Sequence, residues 1–409
     1  MTPEQQRTVG ARVAQLRKQR GLTQRELANA VSRTTSWLSQ VERGVQPVAR
    51  LDVLQLLADA LGVSVQTLQP DAPTPQAAPQ ARISESNDLD GARLLLSGHP
   101  ALDVLLADTS PEPGNLPELR DQVEELWNLT HSARFADISN KATTLVPELE
   151  RTVRTCADAD QAEAHGLLAR TYQALAAAFV RQDESDAAWT AADRSIRAAE
   201  QSGDPLSVFA GIYRLTQAFV RLRRLDQAEH AAETAVRALE RRTAKAAPAE
   251  LSVLGALHLV LAHVHARSGR RAEARTELDR ARQVARQLGE DRNDHDLEFG
   301  PTNVEIQAVS TAVDLGDAGE ALDLGLSIDA TPLSPERQAR LLMDLGRAHA
   351  QRRHPGEALD CLLRAEELAP ETIRTHVAAR STIRELVLVS GRSASQELLD
   401  LAERADALE

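Results

Sequence analysis

The stretch LLMDLGRAHAQRRHPGEALDCLLRAEELAP, residues 341–370, decides the reading of most of the chain. Leu342, Leu345, Gly346 and His349 share one helical face, and after a break at Arg353-His354-Pro355 the residues Ala358, Leu362 and Ala365 share another before Pro370 closes the second helix. Small residues at Gly346 and Ala358 let two antiparallel helices approach closely. The pattern recurs upstream. Weaker copies align on Ala188, Ala228, Ala274 and Ala321, as in RRLDQAEHAAETAV (223–236) and SGRRAEARTELDRARQVA (268–285). A helix pair cannot bury its apolar face alone, so a run of such pairs predicts a stacked array. From about Leu119 onward nearly every window carries apolar residues at helical spacing, and we read about six or seven pairs.

Composition agrees with this reading. In 409 residues, aromatics make up 2% and hydrophobics 42%, enough for a core of Leu, Ala and Val but poor in the residues that strands favour. An all-α chain is expected. The two cysteines, Cys156 and Cys361, form neither a disulfide framework nor a four-ligand zinc site, and no metal or other cofactor is expected. The N-terminus lacks the apolar core of a signal peptide, and no run approaches the roughly 18 uninterrupted apolar residues of a membrane span. The expected location is the cytoplasm.

Charge divides the chain. Residues 1–70 carry nine basic side chains against five acidic ones, a local balance of +4, whereas the whole chain is at -13, which leaves -17 for the remainder. A small basic head on a large acidic body is the asymmetry of a protein in which one segment meets phosphate. The Pro-rich PDAPTPQAAPQAR (70–82) separates the two, because its four prolines deny the backbone helix geometry and amide donors. The expected organisation is a head over 1–69, a linker over 70–82, a short helical connector over 83–118 and a helical array over 119–409.

Within the head, Thr2-Pro3 starts a first helix with Val9, Val13 and Leu16 as its apolar stripe, and Gly21 ends it. Thr23-Gln24-Arg25-Glu26 is a capping box that opens a second helix, and after Ser32-Arg33 the cap Thr34 opens a third, TSWLSQVERG. Two short helices joined by a tight turn form the unit whose second helix enters the DNA major groove. On the third helix Trp37, Leu38 and Val41 face the core. Thr35, Ser36, Ser39, Gln40 and Arg43 form a polar face whose side chains can hydrogen-bond to base edges or phosphates.

GLTQRELANAVSRTTSWLSQVERG (21–44), followed by LLADALGVS (56–64), resembles the XRE family of Cro-type and phage-repressor-type helix-turn-helix domains. The resemblance implies a five-helix head that binds a double-stranded DNA operator. It places Gln24 on a phosphate, Thr35, Ser36 and Gln40 on bases, and Ser39 and Arg43 on bases or backbone, with Arg33, Thr34 and Arg50 completing the candidate contact set. It also implies an internal ion pair between Arg17 and Glu42. The repeats of the body resemble tetratricopeptide repeats, most closely at 342–370, so the body is expected to be an α-solenoid. Head and solenoid together resemble the peptide-sensing regulators of Gram-positive bacteria and related actinobacterial regulators.

By that resemblance the solenoid's concave lining comprises Arg170, Gln173, Arg181, Tyr213, Gln217, Arg221, His263, Arg267, Asn303, Ser310, Arg340 and Arg347. Asn and Gln can pair with a peptide backbone, and Arg forks onto a carboxylate or phosphate, so the implied effector is a peptide or another small ligand. Arg181, Arg221 and Arg267 also stand near helix C-termini, where a cation offsets the dipole without any ligand. His258, His263 and His265 cluster without a metal-ligand motif, and we read them as structural. Phosphate-binding glycine loops and nucleophile elbows are missing, so no enzyme activity is expected. The expected function is transcription regulation by a homodimer. The alternative is an interaction scaffold or antirepressor with a head that does not read DNA.

Overall fold

The structure, a computed structural model, describes residues 3–31, 35–43, 57–58, 60–61, 63, 65–68, 87–99, 102, 112–241, 247–331 and 333–408. Their regular structure is helical, with no strand among them and one isolated bridge between Arg292 and Phe299. The chain divides into two compact units, residues 1–84 and 85–409. The linker expected over 70–82 lies outside the described residues.

The first unit contains α1 (Pro3–Gln19), α2 (Gln24–Ala30), α3 (Thr35–Glu42) and α4 (Val65–Leu68), together with helical residues at 57–58 and 60–61. Val9, Val13, Leu27, Val31, Leu38, Val41, Leu57, Leu61 and Leu68 close its core. The capping box at α2 is formed: the Glu26 amide donates to Thr23 Oγ1 at 3.2 Å, and the Thr23 amide to Glu26 Oε2 at 2.7 Å. Helices α1 and α3 touch at Gly10, where a Cβ would stand 2.2 Å from the Val41 carbonyl oxygen.

The second unit opens with α5 (Asp90–Leu96), whose Ala92 and Leu96 are buried in the core of the first repeats. Helix pairs follow: α6 (Leu116–His131) with α7 (Phe135–Thr155), α8 (Asp158–Arg181) with α9 (Ser185–Ser202), and α10 (Pro205–Arg221) with α11 (Leu225–Glu240). Next come α12 (Pro248–Arg267) with α13 (Arg271–Leu288), α14 (Pro301–Asp314) with α15 (Ala318–Gly325), and α16 (Pro335–Gln351) with α17 (Pro355–Leu368). A short α18 (Pro370–Thr375) leads into α19 (Val377–Ser390) and α20 (Gln396–Arg404). The anchors Ala188, Ala228, Ala274, Ala321 and Ala358 are all fully buried where the second helix of a pair meets the first. Helix α12 is long and apolar enough to cross a membrane, yet 78% of that stretch is buried inside the unit, where it forms the central repeat's core.

The pairs share one turn. Between their helices sits a residue in the left-handed region, at Ala133, Asp183, Arg223, Gly269, Gly316 and Arg353, with φ between 52° and 81°. In each case the next amide reaches back to the carbonyl five residues earlier: Arg134 to Leu129, Glu184 to Phe179, Arg224 to Phe219, Arg270 to His265, Asp317 to Ala312 and His354 to His349. These are the bonds of a helix C-cap that satisfies the last carbonyls of the first helix while reversing the chain. Only two of the six positions hold glycine, so the others keep a Cβ in a conformation that costs about 1–2 kcal/mol.

The superhelix curls so that its C-terminal part meets its N-terminal part. Asn87 donates to Glu371 Oε2 at 2.7 Å, and Arg181 pairs with Glu336 at 2.7 Å. The concave side is thereby partly enclosed. Between α13 and α14 the chain crosses it as residues 289–300, with a 3-10 turn at Asp294–Asp296.

Two substitutions of opposite sign test this account. Arg223→Gly removes the left-handed penalty at an exposed turn and should raise body stability by up to about 1 kcal/mol in urea unfolding. Gly10→Ala pushes a methyl into the α3 backbone and should destabilise the head by about 1–3 kcal/mol, read as lost hydrogen-exchange protection over residues 9–31.

Candidate functional site

The third helix is held from behind and presents its polar side. Leu38 and Val41 are buried in the head core, while Thr35 and Arg43 are exposed and Ser39 and Gln40 half-buried. Thr35, Ser39 and Arg43 follow at successive turns, so they form one row. Arg43 Nε donates to the Ser39 carbonyl at 3.2 Å, which leaves the rest of the guanidinium fork turned outward. Arg33, Thr34 and Arg50 lie outside the described residues, as do the side chains of Ser36 and Trp37.

A buried ion pair sets the angle of this helix. Arg17 on α1 donates through Nε and Nη2 to both carboxylate oxygens of Glu42, at 2.6 and 3.0 Å, and through Nη1 to the Leu22 carbonyl at 2.8 Å. Gln24 joins them, its amide donating to Glu42 Oε2 at 2.7 Å. The pair is the one the resemblance implies. Gln24, placed on a phosphate by the same resemblance, has its amide directed inward here. Burial pushes the Glu42 carboxyl up, but the hydrogen bonds from Arg17 and Gln24 outweigh it and hold the group below the usual carboxylate range.

In the body, α8, α10, α12, α14 and α16 surround a cavity of about 150 Å³. Of the expected lining, Arg181, Tyr213, Gln217, Arg221, His263, Asn303 and Arg340 border it. The others are turned elsewhere. Gln173 is buried and donates to the Ser207 carbonyl at 3.0 Å, locking α8 to α10. Arg170 pairs with Glu124 at 2.5 Å and Asp296 at 3.0 Å, and Arg347 is clamped between Asp314 and Asp344 at 2.7 and 2.8 Å. Arg267 is exposed at the end of α12, and the Ser310 hydroxyl is buried without a partner among the described residues.

The cavity also takes in Arg214, Arg337, Glu336 and His376, which sequence reasoning did not assign. Arg214 stacks over the rings of Trp127 and Tyr213, at 5.4 and 5.2 Å, and donates to the Asp296 carbonyl at 2.6 Å. Arg337 pairs with Glu298 at 2.5 Å, and Asn303 donates to the Glu298 carbonyl at 2.6 Å. Burial opposes the charge on Arg337, yet Glu298 and Glu336 hold its pKa above the ordinary value. Arg221 is different. It makes no hydrogen bond or ion pair among the described residues, and burial with Arg340 and Arg267 nearby lowers its pKa.

Of the three clustered histidines, His258 is buried with Nδ1 2.7 Å from Glu277 Oε2, and His263 Nδ1 stands 3.4 Å from Asp314 at the cavity edge. His265 is buried.

Residues 8–70 match the helix-turn-helix domain family. No curated protein is significantly similar in sequence to this chain. Among solved structures, the Bacillus thuringiensis PlcR in complex with the peptide PapR7 and DNA aligns over 92% of this chain and 99% of its own, at 12% identity and a TM-score of 0.35. The Cut9–Hcn1 hetero-tetramer of the APC/C aligns over 97% of this chain and 68% of its own, at 16% identity and a TM-score of 0.32. The apo competence regulator ComR from Streptococcus vestibularis aligns over 76% and 99%, at 13% identity and a TM-score of 0.23.

Because the folded Glu42 carboxyl sits below its unfolded value, its contribution is present above about pH 4.3 and is lost as pH falls through the folded value. Glu42→Gln should therefore cost the head about 1–3 kcal/mol at neutral pH and flatten its acid sensitivity. Hydrogen-exchange protection over 9–31, normalised for intrinsic rates between about pH 2.5 and 7, reads both effects.

Proposed function

We propose that the chain is a cytoplasmic DNA-binding transcription regulator. Its head, paired as a homodimer, reads a double-stranded operator, and its tetratricopeptide-like body senses a ligand. The carrying observation is α3. Its apolar face is sunk in the head core and its orientation is clamped by Arg17–Glu42, while Thr35, Ser39, Gln40 and Arg43 stay outward on a unit whose second helix is built to enter a major groove.

On this reading Gln40 contacts a base edge, since a carboxamide pairs both donor and acceptor with adenine, and Arg43 contacts guanine or phosphate. Thr35, Ser36 and Ser39 reach bases or backbone near the helix start. Arg33, Thr34 and Arg50, with Arg25 on α2, supply the sequence-independent attraction to phosphate. A single head with a local charge of +4 would bind weakly, so paired heads on a two-fold operator supply the affinity. The body contributes through population shift: a ligand that binds one arrangement of the dimer better than another changes operator affinity by that difference.

Selection of genomic fragments by the purified full-length protein is the direct test. A two-fold symmetric motif should enrich, with binding that weakens steeply with salt. Gln40→Ala should lose about 1–3 kcal/mol at the enriched motif with nonspecific affinity nearly intact. If no motif enriches and the protein instead captures a specific protein partner, the scaffold reading replaces this one.

A further inference from the structure

The concave cavity contains hydrogen-bonding groups that its own walls leave incomplete, and their chemistry describes an occupant. Arg221 is the first. The four other arginines of the cavity have partners: Arg181 has Glu336, Arg337 has Glu298, Arg214 has the Asp296 carbonyl and two aromatic faces, and Arg340 has Asp344 at 3.2 Å through Nε, with its Nη1 turned to His376. Arg221 makes no hydrogen bond or ion pair among the described residues. It is half-buried, and a partly desolvated guanidinium with no bonded partner is favoured by an anion beside it.

His376 is the second. Its Nδ1 accepts the Ala378 amide at 3.1 Å, capping α19, while its Nε2 faces Arg340 Nη1 at 3.2 Å. A neutral imidazole accepts at one ring nitrogen only, and guanidinium donates only. With Nδ1 accepting, Nε2 carries the hydrogen, so two donors confront each other. Burial and the surrounding arginines, Arg340 foremost, hold His376 neutral by pushing its pKa well below the ordinary value. An acceptor oxygen set to one side of the contact, within reach of both Nε2–H and Arg340, satisfies both.

Glu336 is the third, and its sign is opposite. One carboxylate oxygen takes Arg181, while Oε2 is buried and accepts no hydrogen bond among the described residues. A donor on the occupant would complete it. Size supplies the last constraint: a cavity of about 150 Å³ holds a molecule roughly the size of benzene, and Leu297 closes one wall.

We infer that this cavity binds a compact oxyanion, carboxylate or phosphate, that also carries a hydroxyl or ammonium donor. Its oxygens lie against Arg221, Arg340 and His376, and its donor lies against Glu336. The inference rests on the reading of the body as a ligand sensor and narrows it to a small metabolite.

Isothermal titration of the full-length chain with L-malate, succinate and glycerol 3-phosphate tests it without DNA. Malate, glycerol 3-phosphate or both should bind saturably at one site per chain, which distinguishes a carboxylate from a phosphate occupant. Succinate, which lacks the hydroxyl, should bind about tenfold more weakly than malate, the equivalent of one charge-assisted hydrogen bond. Arg221→Met should abolish binding, and Arg221→Lys, which keeps the charge and guards against a folding defect, should weaken it. Glu336→Gln should shrink the difference between malate and succinate. The proposal fails if none of the three probes binds saturably, if binding persists in Arg221→Met, or if hydroxylated and plain anions bind equally. Operator affinity measured separately keeps the two readings apart: intact DNA selectivity without anion binding removes the site alone, whereas anion binding that leaves operator affinity unchanged removes sensing alone.

Discussion

One three-residue reversal, built around a single left-handed residue, governs the body. Because the amide after that residue always returns to the carbonyl five positions earlier, each first helix ends at a fixed point and each second helix leaves it at a fixed angle. Buried alanines at 188, 228, 274, 321 and 358 then allow the two helices to close, and stacking of neighbours follows. The same constraint brings Arg181 and Arg221 to equivalent places, each the final residue of its helix. A cation there complements the helix dipole, so fold and site draw on the same residues.

The electrostatics of the concave side follow from this crowding. Several guanidiniums converge where water is scarce, and the body's overall acidity does not neutralise them. Local carboxylates do: Asp314 and Asp344 hold Arg347, Glu298 holds Arg337, and Asp296 reaches Arg170. Burial disfavours the Asp314 charge, but His263 and Arg347 outweigh it and hold its pKa well below the ordinary range. Positive charge is thus mostly matched pair by pair, and only a small remainder is left for a ligand.

Much of this was legible in the sequence, for physical reasons that also mark where it stopped. The capping box at Thr23–Glu26 and the helical periodicity are local signals, and they specify local structure. The repeat anchors were readable because a buried helix contact demands a small side chain. The turns were only partly readable: Gly269 and Gly316 announce left-handed backbone, whereas Ala133, Asp183, Arg223 and Arg353 adopt it under tertiary constraint and carry no such mark. Seven of the expected lining residues do meet at one cavity. Gln173 and Arg347 do not, because each found a closer partner in the wall. Arg214 and Arg337 were missed because their role depends on residues 294–298, an insertion that no repeat pattern anticipates, and His376 because it comes from a helix cap in the least regular pair.

That insertion holds a costly backbone conformation. His295, Asp296 and Glu298 all hold φ near +50°, at a cost of roughly 1–2 kcal/mol each. Asp296 and Glu298, anchored on Arg170, Arg214 and Arg337, hold the segment down. Leu297 and Phe299, both buried, pin it further into the body's core. The segment is therefore a fixed part of the cavity wall, and a molecule that competes for those guanidiniums meets a surface already set in place.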